Sequence, residues 1–216
     1  MSTNVKRPYD SSRRKAQAAE TRRHILAAAY DLFVSRGYGA TTVSDIAAEA
    51  GVSVETIYGA FGSKLNLLKR VWDVTIGGDD QDVPFHERPE VRALRAEQDL
   101  GRRLEMYASL VANQLGPRTS PFVEAIRGAA SSEPEARAML EEMDRQRLEG
   151  MTLAAREMAA GEGLAVSEEE ARDVLWATNA GDLWRLLVDE RGWDRERFAS
   201  WLARLWKRML LDSEHQ

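Results

Sequence analysis

Four side chains in one short stretch have the chemistry to hold a polyanion. Thr42 and Thr56 can donate hydroxyls, Tyr58 can donate a phenol, and Lys64 can neutralise a phosphate. All four lie in TTVSDIAAEAGVSVETIYGAFGSK, residues 41–64. Thr42 and Lys64 stand at or near helix starts, and Thr56 falls in a first turn. Helix N-termini present unpaired N–H groups and the positive end of a dipole, which suits phosphate. Tyr58 also admits a purely structural role, and two short helices can equally be an ordinary hairpin in a core.

The elements that would position these groups are legible from spacing. Thr42 can cap a helix in which Val43, Ile46, Ala47 and Ala50 share one face. Gly51 follows where a left-handed residue ends a helix. Ser53 can cap the next helix, with Ile57 and Phe61 four apart on its inner side. Two short helices joined by a Gly-containing turn form the helix-turn-helix unit, whose second helix enters the DNA major groove. The outward residues Ser53, Val54, Glu55, Thr56 and Gly59 are short enough to let a helix approach bases. Upstream, Ile25, Ala29, Leu32 and Phe33 predict a bracing helix from about Thr21 to Arg36, stopped by Gly37-Tyr38-Gly39. Downstream, Ser63 can cap a fourth helix that ends near Gly77-Gly78 and links head to body. Residues 1–19 read as a flexible basic arm carrying Lys6, Arg7, Arg13, Arg14 and Lys15. Such arms track phosphates or enter a minor groove, and a solvated tail would look the same. Arg13 and Arg14 are the better contacts because they lie closer to the head.

The order Thr42-Val43-x-x-Ile46-Ala47-x-x-Ala50-Gly51-Val52-Ser53-x-x-Thr56-Ile57-Tyr58-x-x-Phe61-x-x-Lys64-x-x-Leu67-Leu68 resembles the DNA-binding signature of TetR-family transcriptional regulators. Arg23-x-Ile25-Leu26-x-Ala28-Ala29-x-x-Leu32-Phe33-x-x-x-Gly37-Tyr38 is similar to that family's first helix. The resemblance covers roughly residues 22–68; the rest of the chain matches the family only in length and helical character. It implies that Ser44, Val54, Glu55, Thr56, Tyr58, Gly59 and Lys64 occupy positions that commonly touch DNA. It also implies a homodimer on a near-palindromic operator and a small-molecule effector held in the body. This chain departs from the family at Ala60, where a hydrogen-bonding aromatic or imidazole is common. Few donors then remain for base edges. Glu55 could accept from cytosine N4 and Val54 could pack on a thymine methyl, with phosphates and DNA shape supplying the rest.

Charge distribution agrees with a DNA-binding head. The whole chain of 216 residues carries −5, yet residues 1–70 hold 11 Lys+Arg against 6 Asp+Glu. The remaining 146 residues hold 19 against 29. A basic head on an acidic body follows. The chain contains no cysteine, so it has neither a disulfide framework nor a thiolate nucleophile. No apolar run approaches the ~20 residues that span a bilayer. The N-terminus lacks the apolar run of a secretory signal. These features suit a reducing cytoplasm, and the resemblance implies a bacterial protein associated with the nucleoid when bound to DNA.

Beyond residue 68 the chain reads as an all-α regulatory and dimerisation region, residues 69–216, behind a helix-turn-helix head at residues 20–68. The expected helices run from Pro89 to about Gln114 with a break near Asp99, and from Pro121 to Ala130 after a turn at Gly116–Pro121. Three more follow: Pro134 to about Ala160, Ser167 to about Glu190, and Asp194 to about Leu211. No catalytic set, cofactor motif or metal-ligand pattern is evident. His24 reads as a surface residue, His86 lies in a Pro-flanked loop, and His215 is in the tail. Met106, Tyr107, Phe122, Met139, Met143 and Trp176 would line an apolar pocket or simply fill a core, and Asn179 would orient a ligand or bond to backbone. Val174, Leu175, Trp176, Leu183, Trp184, Leu186, Leu187 and Val188, then Phe198, Trp201, Leu202, Leu205, Trp206, Met209 and Leu210, give the last two helices wide apolar surfaces. A stripe on two sides fits either a large monomeric core or an intermolecular four-helix interface through Leu183, Leu187, Trp201, Leu205 and Met209. A ligand-independent DNA-binding or architectural protein, governed by a protein partner or by abundance, is the alternative function. It would show a filled core where a ligand-responsive protein shows a cavity.

Overall fold

The first helix is ten residues longer than its apolar stripe requires. In the computed structural model, which describes residues 11–212, α1 spans Ser11–Arg36 rather than starting near Thr21. Residues 12–20 are exposed on every side. Good intrinsic helix formers (Arg, Lys, Ala, Gln, Glu), not burial, extend the helix there. Part of the expected basic arm is therefore helical. Lys6, Arg7 and His215 lie outside the described residues.

Ile25, Leu26, Ala29, Leu32 and Phe33 bury the inner face of α1. Gly37 ends the helix at φ +85. Thr41, fully buried, then locks the corner: its hydroxyl lies 3.1 Å from the Leu32 carbonyl and 2.9 Å from that of Gly37. Thr41→Val keeps the shape and removes the one hydroxyl hydrogen that the Leu32 and Gly37 carbonyls share. Unfolding in urea should show a loss of ~1–3 kcal/mol; an unchanged midpoint would mean water replaces the hydroxyl.

α2 (Val43–Ala50), α3 (Val54–Phe61) and α4 (Lys64–Gly77) follow, capped by Thr42, Ser53 and Ser63. Gly51, at φ +66, makes the turn between α2 and α3. A 3₁₀ turn at Phe85–Glu87 leads to α5 (Pro89–Ala96), and Asp99 caps α6 (Leu100–Leu110). The expected turn at Gly116–Pro121 is absent. α6 passes through a π turn, Val111–Leu115, directly into α7 (Gly116–Ala129) with Pro121 inside it. A proline ring clashes with the carbonyl four residues back in a regular helix, and the widened π turn relieves this at Pro117. Gly116 serves close packing instead of a turn: a Cβ there would come within 2.5 Å of the Trp184 ring.

α8 (Pro134–Ala159) matches its expected length. The helix expected from Ser167 to Glu190 is two. α9 (Glu168–Thr178) ends at Asn179, and Gly181 at φ +83 redirects the chain. α10 (Asp182–Trp184) then runs into a second π turn, Arg185–Glu190. The redirection seats Trp184, 4% exposed, against Gly116. α11 (Arg195–Leu210) is capped by Asp194 and closes the body against α6.

Two cores result. One joins the buried faces of α1–α4 to Phe122 and Ile126 of α7 and to Ala136, Met139 and Met143 of α8. Residue 68 is therefore not a packing boundary. The other core lies among α6, α8, α9, α10 and α11. Among the described residues no helix is long and apolar enough to cross a membrane.

Candidate nucleic-acid interface and body cavity

Exposure sorts the residues of α3 into two faces. Ile57 and Phe61 are buried, while Glu55, Thr56, Tyr58, Gly59 and Ala60 face solvent and Val54 is half-buried. Ser53 Oγ accepts from the Thr56 amide at 3.2 Å and lies 3.1 Å from the Thr56 hydroxyl. Two hydroxyls are thus held together at the first turn of this helix. The Glu55 backbone N–H, then the Ser53 hydroxyl, hold the Glu55 carboxyl below its ordinary pKa, so it stays ionised and accepts only. Tyr58 is 49% exposed, the largest aromatic surface on the head.

At α2 a reciprocal cap forms. Asp45 N donates to Thr42 Oγ1 at 3.1 Å, and Thr42 N donates to Asp45 Oδ2 at 2.8 Å. The Thr42 hydroxyl also donates to Asp45 at 2.5 Å. This hydroxyl is therefore spent on the cap, while exposed Ser44 beside it is open to solvent. The Thr42 hydroxyl, followed by the Thr42 amide, lowers the Asp45 pKa. A depressed carboxyl contributes stability above its unfolded pKa and loses it as pH falls through the folded one. Acid titration of the melting temperature should accordingly be shallower for Asp45→Asn below the ordinary Asp range; an identical slope would contradict the cap's role.

Lys64 does not project freely. Its Nζ donates to the Tyr38 carbonyl at 2.6 Å and lies 3.9 Å from the Tyr38 ring centroid. Desolvation lowers its pKa, and Glu133 and Glu135 oppose the shift. The Tyr38 hydroxyl in turn donates to Glu135 at the start of α8. Arg13 and Arg14 stand exposed in the first turn of α1.

A clasp that spacing does not reveal ties the head to the segment after α4. Asp80 accepts from Arg22 of α1 at 2.8 Å and from Arg70 of α4 at 2.7 Å. Arg22 also covers the Phe61 ring at 4.8 Å. From sequence, residues 79–89 read as an acidic loop or domain-boundary segment.

In the body, a cavity of about 590 Å³ opens between α4, α7, α8 and α9. Tyr107, Met143, Trp176 and Asn179 line it. Phe122 and Met139 do not: both are sealed in the core shared by head and body, and half-buried Met106 lies outside the wall. Trp72 and Gln146 are wall residues that the sequence reading missed; the Trp72 indole donates to Gln146 Oε1 at 3.1 Å. Trp72 also stacks on Phe122 at 6.0 Å, and Phe122 on Tyr30 of α1 at 5.9 Å. An aromatic ladder thus runs from the cavity wall into the head. Leu183, Leu187, Trp201 and Leu205 are half-buried, and Met209 is 45% exposed. Leu186, 40% exposed, extends this apolar area on the last two helical segments.

Comparison with known proteins agrees with this geometry. Residues 25–71 match the family described as bacterial regulatory proteins, tetR family. The chain is 44% identical over 59 residues to the HTH-type transcriptional repressor BepR of Brucella suis, covering 27% of this chain and 28% of that protein. The matches span less than half the length of each curated relative. Across the whole fold, NalD, the secondary repressor of the MexAB-OprM multidrug efflux pump in Pseudomonas aeruginosa, superposes with a TM-score of 0.65 at 19% identity, covering 90% of this chain and 98% of NalD. A putative transcriptional regulator from Saccharomonospora viridis in complex with choline gives 0.65 at 20% identity, covering 89% and 98%.

Proposed function

We propose that the protein is a homodimeric transcriptional repressor of the tetR family, which residues 25–71 match, released from a near-palindromic operator by a small molecule. The observation that carries the reading is α3 itself. Its inner face is buried, and its outer face offers Ser53, Glu55, Thr56, Tyr58 and Gly59. In this reading Thr56, Tyr58, Ser44 and Ser53 contact phosphates or base edges, Val54 and Glu55 discriminate bases, and Arg13, Arg14 and Lys64 supply counter-charge. Thr42 serves as cap to α2 and lends the helix start to a phosphate. Leu183, Leu187, Trp201, Leu205 and Met209 pair with their symmetry mates, which sets two copies of α3 in successive major grooves. A dimer seated on promoter DNA blocks transcription without further machinery. The cavity of about 590 Å³ supports release by a ligand over control by abundance alone, because it falls in the size range of small-molecule sites. The protein works in the bacterial cytoplasm, on the nucleoid.

Selection of bound DNA from a random pool at controlled salt tests this. A short palindrome should emerge, with affinity falling steeply as salt rises; recovery of no DNA overturns the reading. Gly59 gives a sharper check. A Cβ there meets nothing within 4 Å, so Gly59→Ala fits the protein. The substitution should raise stability by ~0.5–1 kcal/mol through helix propensity, while its methyl crowds the DNA face and weakens operator binding. Unchanged affinity would remove α3 from the groove.

A further inference from the structure

The body cavity is not one chamber but two. A second void, about 120 Å³, lies between α5, α6 and α8 and is lined by Val91, Leu94, Leu104, Leu153, Ala154 and Met158. Phe85, Tyr107, Gly150 and Met151 belong to the walls of both. At this junction a Cβ on Gly150 would meet nothing within 4 Å, so the α8 backbone lies open there. Met151 supplies a flexible side chain that can swing aside. The space is thus elongated, narrow and apolar at one end, wide at the other.

The wide chamber is balanced in charge. Arg127 pairs with Asp182 at 2.9 Å, and Arg147 with Asp144 at 2.8 Å. At the edge of the narrow chamber Arg95 pairs with Glu157, and Arg103 donates to the Glu97 carbonyl at 2.9 Å. Arg127 and Arg147 each already have a carboxylate within hydrogen-bond distance, so the wide chamber offers an ionised ligand no unmatched partner of opposite charge. The cation position over the Trp176 ring is already filled by Arg147, 4.4 Å from its centroid. One face of Tyr107 is stacked on Trp206 at 5.0 Å, and Trp72 is stacked on Phe122. An aromatic cage for a quaternary ammonium is therefore not on offer. What the wide chamber does offer is neutral polarity. The Asn179 amide donates to the Tyr107 hydroxyl at 2.5 Å, and the Tyr107 hydroxyl donates to Met151 Sδ at 3.3 Å. Burial raises the Tyr107 pKa and keeps it a phenol.

We propose that the two chambers take a single elongated, uncharged amphipath: its apolar chain passes the Gly150–Met151 junction into the narrow chamber, and its hydroxyl, carbonyl or amide end meets Tyr107 and Asn179. The proposal rests on the ligand-released reading above and names the ligand class. A bound chain holds Met151 against α6, and its polar end competes for the Tyr107–Asn179 contact. Both lie on the same wall as the Trp72–Gln146 bond to α4.

The test uses the full chain and three probes with the same ten-carbon chain: 1-decanol below its solubility limit, and decanoate and decyltrimethylammonium below their micellar concentrations. Binding is read by melting temperature and by titration of tryptophan fluorescence. Decanol should bind at least tenfold more tightly than either ion. Gly150→Leu, whose Cβ meets nothing within 4 Å and whose branched end extends into the junction, should weaken decanol at least tenfold, and Asn179→Leu should weaken it several-fold. An ion binding as well as decanol overturns the proposal, as does decanol binding that survives both substitutions. Operator binding measured on the same samples without probe reports separately on the regulator reading. Loss of that binding with the probe preference intact would sink the regulator and leave the ligand class standing.

Discussion

Phe122→Ala should lower the free energy of unfolding by ~3–5 kcal/mol, the largest single loss we expect in this molecule. The side chain is fully buried and stacks between Tyr30 of α1 and Trp72 of α4, although it belongs to α7. Removing it deletes transfer free energy and leaves a void that three helices cannot all close. Because its neighbours lie on both sides of the head–body seam, thermal unfolding should also become less cooperative, with the head melting ahead of the body. Phe122→Leu retains most of the volume and should recover more than half of the loss. A loss below ~1 kcal/mol for the alanine variant, measured by urea titration, would mean that the ladder carries little packing energy.

The second large effect is on DNA. Thr56→Ala combined with Tyr58→Phe should weaken operator binding by about two to three orders of magnitude. Each hydroxyl donated to a phosphate is worth ~1 kcal/mol. A two-fold dimer loses each contact twice, so the sum approaches ~3–4 kcal/mol, at tenfold per ~1.4 kcal/mol. Neither change touches a core: Thr56 is exposed, and Tyr58 keeps its ring. Stability should therefore move by less than ~0.5 kcal/mol. The loss should appear at every sequence tested, since phosphate contacts do not read bases. Binding within threefold of the parent would move the interface off α3.

The head was legible because its elements are short and each carries its own punctuation. Thr42, Ser53 and Ser63 cap three helices, Gly51 sits where a left-handed residue is needed, and Ile57 and Phe61 face inward as their spacing requires. The body was legible in class but not in its joints. Gly116 and Pro117 carry turn chemistry, yet the chain stays helical because a π turn accommodates the proline and Trp184 demands a glycine. Conversely, Gly181 breaks what reads as one long helix from Ser167. Both departures answer to a single tertiary contact between distant segments, which periodicity in a local window cannot contain. The same holds for the cavity. Phe122 and Met139 share the apolar character of Tyr107 and Met143, and only packing decides that Tyr107 and Met143 also border a void while Phe122 and Met139 do not. Lys64 has the right charge for a phosphate, but its resting place against Tyr38 depends on α8, seventy residues away.

The core shared across residue 68 makes the head a poor candidate for transplantation. A fragment cut after α4 would lose Phe122, Ile126, Met139 and Met143 from its own interior and bare Trp72 and Val71 to solvent. A chimaera that grafts this head onto a foreign body would inherit the same deficit unless the facing surfaces of α7 and α8 travelled with it. Exchange of heads among such proteins should then succeed by recombination at two places rather than one, with the α7–α8 patch inherited together with the reader of the DNA.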